Sequence, residues 1–141
     1  MLVYISGKIG EEVISEATRQ KFMKAQEMLL EKGYTIINPA SEKFQKGMKK
    51  EVDFEEKKWK KLRHGKFDRY AWILLYDLHF LALCDAVYFL EDWDKSPGAG
   101  AEHSFALASK KEMLWQRLED AQIYRDDNQA AEEVWLPLQE I

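Results

Sequence analysis

Ser96-Pro97-Gly98-Ala99-Gly100-Ala101-Glu102 directly follows the apolar run Asp85 to Leu90. A strand, a short loop with two glycines and a helix-forming segment carrying a carboxylate is how an α/β sheet builds a small-molecule site. Gly98 and Gly100 let the backbone approach a ligand closely. The helix beyond them, read as starting near Ala99, presents free N–H groups and the positive end of its dipole. A glutamate in that first turn should stay ionised, which makes Glu102 a candidate nucleophile. The alternative is an acid that only stabilises the helix end.

Asp77 is the second residue out of place. It lies in the apolar segment Phe67 to Leu83, where Tyr70, Ile73, Leu74, Asp77, Leu78 and Leu81 share one helical face. A carboxylate in such a stripe costs free energy unless it is paired or hydrogen-bonded. Burial would raise its pKa, which suits a general acid. The competing reading is a cap or an ion pair with Arg69 or Lys66. Asp85 opens its strand and either points into the cleft or holds a loop. Tyr4 is a core residue unless its hydroxyl reaches Glu102. Ser96 fits an N-cap or a phosphate ligand, since one geometry serves both. Trp93, beside the glycine loop, is placed to stack on a base.

Other candidate sites fail on spacing. His64, His79, His103 and Cys84 have no zinc-ligand pattern, so no metal is expected. Ser6-Gly7-Lys8-Ile9-Gly10 lacks the Gly-Lys-Ser/Thr of a phosphate-binding loop and is not a dinucleotide fingerprint. Cys84 ends an apolar segment and reads as a buried, inert thiol.

The elements that must position these residues alternate. Leu2 to Ile5 reads as a strand, Glu11 to Lys32 as a helix stopped by Gly33, and Tyr34 to Ile37 as a second strand ended by Asn38-Pro39. Ser41 to Gly65 is polar, with sparse apolar positions, and reads as a mobile loop with some helix from Phe54 to Arg63. Phe67 to Leu83 reads as a buried helix, Asp85 to Leu90 as a strand, Ala99 to Lys110 as a helix and Glu112 to Trp115 as a strand. A further helix is expected around Gln129 to Trp135. The pattern predicts one small α/β domain: a doubly wound, Rossmann-like or flavodoxin-like parallel sheet with flanking helices, a basic insert at 41–66 and a C-terminal extension at 116–141. Such sheets bind ligands outside the carboxyl ends of their strands. The site is therefore expected from Ser6 to Gly10, Asn38 to Ser41 and Trp93 to Glu102.

With 46% hydrophobic residues the 141-residue chain can fill a core. No apolar run nears the roughly 20 residues of a membrane span, and no secretory signal is expected from the opening residues. The single cysteine suits a reducing, cytoplasmic setting. Charge is unevenly distributed: Lys43 to Arg69 holds eleven Lys and Arg against five Asp and Glu, so the rest is acidic. Such a run could bind phosphates or nucleic acid, but without a nucleic-acid motif, and with acids interleaved among the bases, it reads first as a solvated face; nucleic-acid binding through Lys43 to Arg69, which would require a steep salt dependence, is a third and weaker reading.

Taken together, Asp77 eight residues before Asp85, a strand, Ser-x-Gly-x-Gly-x-Glu and a first strand ending Tyr-Ile-Ser-Gly resemble the nucleoside 2-deoxyribosyltransferase superfamily. The runs Tyr-Ile-Ser-Gly-Lys-Ile, Ile-Asn-Pro-Ala and Asp-Trp-Asp-Lys-Ser-Pro-Gly-Ala look most like an uncharacterised phage and bacterial branch of it. The resemblance covers roughly residues 1 to 115. It implies that Glu102 attacks the anomeric carbon, that Asp77 handles the proton of the base and that Tyr4 orients Glu102, without metal or cofactor. Transferases of free nucleosides carry an aspartate where this chain has Ser96, whereas the related 2′-deoxynucleoside 5′-phosphate hydrolases carry a serine. A 5′-monophosphate is therefore expected in preference to a free nucleoside, with Lys8 and Lys95 as partners for its charge. The hydrolases have a serine and an arginine where this chain has Lys8 and Gly10. The substrate-binding set implied is Ser6, Gly7, Lys8, Asn38, Asp85, Trp93, Ser96, Gly98 and Gly100. Relatives of this kind form dimers or larger oligomers, so a homo-oligomer is expected, with Phe67 to Leu83 as one interface candidate. The rival reading is a non-catalytic nucleotide-binding module on the same fold.

Overall fold

The computed structural model describes residues 1–10, 12–62, 66–128 and 132–138. Four parallel strands, β1 (Leu2–Ser6), β2 (Thr35–Ile37), β3 (Ala86–Phe89) and β4 (Glu112–Trp115), form one sheet in the order β2-β1-β3-β4. Among the described residues five α-helices flank it: α1 (Glu16–Glu31), α2 (Glu42–Lys60), α3 (Arg69–Ala82), α4 (Pro97–Ala108) and α5 (Leu118–Asn128). The chain is the expected Rossmann-like α/β fold. Among the described residues no helix is long and apolar enough to cross a membrane.

Strand side chains alternate, so each strand feeds two cores. Val3 and Ile5 of β1 join Ala86 and Tyr88 of β3 under Phe22, Ala25 and Leu29 of α1. Tyr4 with Val87 and Phe89 faces Leu81 of α3, Ala106 of α4 and Ala121 of α5. Each large apolar side chain so buried stabilises the fold by about 1.5–3 kcal/mol. Helix α1 starts later than expected because Ser15 is its N-cap, accepting from the Thr18 amide at 3.2 Å.

Three expectations are corrected. The stretch read as a mobile loop is mostly the 19-residue helix α2. Ser41 caps it, and Phe44, Met48 and Val52 recur every four residues along its inner face. Phe44 lies 5.2 Å, edge to face, from both Tyr76 and Phe80 of α3. Helix α3 is less buried than its hydrophobicity suggested: Leu81 alone on it is buried, and Leu75 is 54% exposed. Near the C-terminus the helix is α5, earlier than expected, and residues 132–134 form a 3-10 turn. Gln129 to Ala131 of the expected helix lie outside the described residues. The extension is part of the core, since Val134 and Leu136 are buried and the Tyr88 hydroxyl donates to the Leu136 carbonyl at 2.6 Å.

Candidate active site

Strand β1 connects to β2 on one side and has β3 on the other, so the chain reverses direction across the sheet between β1 and β3. The carboxyl ends of strands at such a point splay apart and leave a crevice. Here that crevice is a cavity of about 570 Å³. The β1–α1 loop supplies Gly7, Ile9, Gly10 and Glu12, and the turn after β2 supplies Pro39. Helix α2 adds Gln45 and Met48, α3 adds Arg69, Tyr70, Ile73, Leu74 and Asp77, and the α4 end adds Ser96 to Ala99 with Glu102. Tyr4 completes the lining.

Glu102 is held from the sheet. Tyr4 and Ser6 lie two apart on β1 and so face the same way. The Tyr4 hydroxyl donates to Glu102 Oε2 at 2.5 Å and the Ser6 hydroxyl donates to Oε1 at 2.8 Å. Each carboxylate oxygen thus has its own donor. Helix α4 begins at Pro97, earlier than expected, so Glu102 sits in its second turn and is only 5% exposed. The expectation that it stays ionised is corrected. Burial pushes its pKa up to about 7, with the two hydroxyl donors pulling the other way.

Asp77 projects from α3 into the same cavity. Desolvation, then the charge of Glu102, hold its carboxyl well above the usual carboxylate range. It is neither a cap nor the partner of Arg69. Asp68 caps α3, accepting from the Ala71 amide at 3.1 Å, and Arg69 pairs with Glu12, Asp53 and Glu56 at 2.6–2.9 Å. Tyr4 feels both acids, and its own pKa is raised, first by burial and then by Asp77 and Glu102.

Ser96 is the N-cap of α4, its hydroxyl accepting from the Ala99 amide at 3.3 Å, and it lines the cavity with Gly98. A Cβ on Gly98 would stand 3.3 Å from the Tyr70 hydroxyl, so glycine keeps this end of the cavity open. Gly7 is required by packing, because a Cβ there would meet Leu90 Cδ1 at 2.6 Å.

The remaining site expectations separate. Asn38 shapes the wall without entering it. Its Oδ1 accepts from the Ala40 amide at 2.9 Å and its Nδ2 donates to Gln26 at 3.1 Å, which sets Pro39. Asp85 precedes β3, at the opposite end of the sheet, and accepts from the Leu2 amide at 2.8 Å, so its role is to tie strands. Trp93 is turned away from the cavity: it stacks on His103 at 4.6 Å and donates to Asp120 at 3.1 Å. Gly100 does not line the cavity. Lys8 and Lys95 do not line it either, and the exposed Lys8 gives its backbone amide to Asp92. Among the described residues the cation that does line it is Arg69, unpredicted as such, at the start of the helix carrying Asp77. Tyr70, Ile73 and Leu74 were visible in the sequence only as the apolar face containing Asp77. Cys84 is buried and inert, its thiol pushed up to about 11 by desolvation. Among the described residues no three His, Cys, Asp or Glu side chains are grouped so as to hold a metal ion.

The crevice thus holds two carboxyl groups in partly apolar surroundings, Glu102 with a donor on each oxygen and Asp77 with none among the described residues. A family model matches residues 1–115, from β1 to the end of β4. The chain belongs to the family described as domain of unknown function DUF4406. No curated protein and no solved structure matches it significantly. The DUF4406 match includes every cavity-lining residue and all of α2, the segment read as an insert. It leaves out α5 and the tail that closes the core.

Proposed function

We propose that this protein cleaves the N-glycosidic bond of a (deoxy)nucleoside 5′-monophosphate, or transfers its sugar to another base, through a covalent glycosyl-Glu102 ester. The observation carrying this reading is Glu102, clamped by Tyr4 and Ser6 and facing a cavity shared with Asp77. A Glu102 carboxylate oxygen attacks C1′ of the sugar. The C1′–N bond breaks, its electron pair leaves with the base, and protonated Asp77 gives its proton to the base nitrogen. Water or a second base then attacks C1′, the C1′–O bond to Glu102 breaks, and the proton released returns to Asp77. This is the double displacement of retaining glycosidases. A carboxyl with pKa near 7 is substantially ionised at neutral pH, as the attack requires. The higher pKa direction at Asp77 keeps a proton available.

Ser96 and Gly98 are suited to the 5′-phosphate, because the Ser96 hydroxyl can donate to an anion and the Gly98 amide lies in the first turn of α4, whereas Pro97 has no N–H and the Ala99 and Gly100 amides bond to Ser96. Arg69 is already matched by three carboxylates, so the substrate panel must include free nucleosides. The test is chromatographic detection of free base after incubating wild type and Glu102→Ala with nucleoside monophosphates and nucleosides, with and without an acceptor base. Release by wild type and not by the variant supports the reading. Nucleotide binding without release from any substrate replaces it with a binding module.

Self-association is proposed with it. Helix α3 leaves Leu75 and Tyr70 exposed, and Trp72, Tyr76 and Phe80 line a second groove against α2. Sedimentation should give a dimer or larger species; monomer alone at micromolar concentration refutes this.

A further inference from the structure

The helix α2 rearranges the charges of its segment in a way the linear sequence hides. Lys43, Lys46, Lys50, Phe54, Lys57 and Lys61 follow the spacing i, i+3, i+7, i+11, i+14, i+18, which is one helical face, and all six are exposed. The stripe is about 27 Å long at 1.5 Å per residue. The acids interleaved in sequence lie elsewhere. Asp53 and Glu56 bond to Arg69 at the cavity mouth. Glu51 and Glu55 line the groove against α3, where Glu55 accepts from Trp59 Nε1 at 2.7 Å. One stripe lysine, Lys46, meets an acid, Glu42, in an exposed pair at 3.1 Å. The row is therefore basic along its length, with an aromatic ring, Phe54, 61% exposed near its middle.

We infer that this face binds a single-stranded nucleic acid. Lysines at one-to-two-turn intervals match a run of phosphates, and an exposed ring between them offers a base a surface to stack on. A duplex gives Phe54 no unstacked base. A membrane surface fits less well, because a lipid-bound helix needs an apolar face free to enter the interface. The apolar face of α2 is engaged, with Met48 and Val52 buried and Phe44 packed on α3. The lysine stripe is separate from the cavity, which α2 lines through Gln45 and Met48.

The experiment is fluorescence anisotropy of a labelled 20-nucleotide mixed-sequence DNA, single-stranded and as a duplex, titrated with the full chain from 50 to 300 mM salt. Co-sedimentation with phosphatidylserine vesicles runs beside it. Five lysine–phosphate contacts predict a log K against log salt slope of about −3.5 for the single strand. Lys50→Glu with Lys57→Glu should flatten the slope by at least about 1.4 and weaken binding at least about ten-fold, with an unchanged circular dichroism spectrum. Phe54→Ala should weaken single-strand binding about five-fold or more and leave the salt slope in place. Three results overturn the inference: no oligonucleotide binding at 50 mM salt, binding untouched by the lysine reversals, or binding to vesicles and not to the single strand.

Discussion

Glu102→Gln should stabilise this protein, and by an amount that grows with pH. The Glu102 carboxyl is buried and titrates near 7, against an ordinary value of 4.5. A raised carboxyl pKa means that the folded state holds the proton more tightly than the unfolded one. Stability linked to Glu102 is therefore full below pH 4.5 and is lost as the pH rises through 7. The difference of 2.5 units corresponds to about 3 kcal/mol of ionisation cost in the folded state at pH 8. Gln has the same shape and no charge, so it avoids that cost. Any loss from refitting its amide to the Tyr4 and Ser6 hydroxyls does not vary with pH, because those hydroxyls both donate and accept. Urea unfolding of wild type and variant at pH 5 and pH 8 measures the effect. The variant's advantage should increase by about 2.5 kcal/mol between them, because part of the loss has already occurred at pH 5. A difference that stays constant across this range would refute the burial of an ionisable carboxyl on which the whole site rests.

Tyr4→Phe removes a hydrogen bond to the charged form of Glu102, worth about 1.5–3 kcal/mol. The acidic limb of base release against pH should therefore move up by about one to two units; an unmoved limb argues that Tyr4 does not tune Glu102. Gly7→Ala forces a Cβ to within 2.6 Å of Leu90 Cδ1 and should cost about 1–3 kcal/mol in urea unfolding. Ser96→Asp should abolish use of a 5′-monophosphate at pH 8 while free nucleosides still bind, read by the chromatographic assay across the substrate panel. Unchanged monophosphate use would remove the phosphate from the α4 end.

The sheet was legible because its strands are short β-branched or aromatic runs with sharp stops, and parallel order follows from strands separated by helices. Glu102 and Asp77 stood out for an equally simple reason, carboxylates where neighbouring residues are apolar. Helix α2 was obscured because its inward positions, Phe44, Met48 and Val52, are diluted by charged residues. Only the turn of the helix sorts its lysines from its glutamates. Arg69 entered the sequence reading only as a competing ion-pair partner for Asp77. Sequence proximity suggested Asp77 as its partner, but the carboxylates that reach it come from the β1–α1 loop and from α2. Asp85 was drawn toward the site because it opens a strand that leads there, and Trp93 because it stands beside the glycine loop in sequence. In space, the length of β3 carries Asp85 to the other end of the sheet, and Trp93 is turned into the Phe89 and Trp115 cluster.

The geometry also orders the two acids. Both are desolvated, which raises both, and Asp77 also feels the charge of Glu102. What separates them is hydrogen bonding: Glu102 receives a donor on each oxygen, both lowering its pKa, while desolvation and the Glu102 charge both act upward on Asp77. As the pH rises, Glu102 therefore gives up its proton first, and its charge then makes Asp77 harder to ionise. Above about pH 7 the negative charge lies on Glu102, the residue that Tyr4 and Ser6 hold still, beside an Asp77 carboxyl whose pKa is raised by burial and by that charge. Environments that push two carboxyl groups apart in this way are what the proposed nucleophile and acid roles require. The division depends on β1 alone, because its period of two puts Tyr4 and Ser6 on one face of the sheet, beneath the second turn of α4.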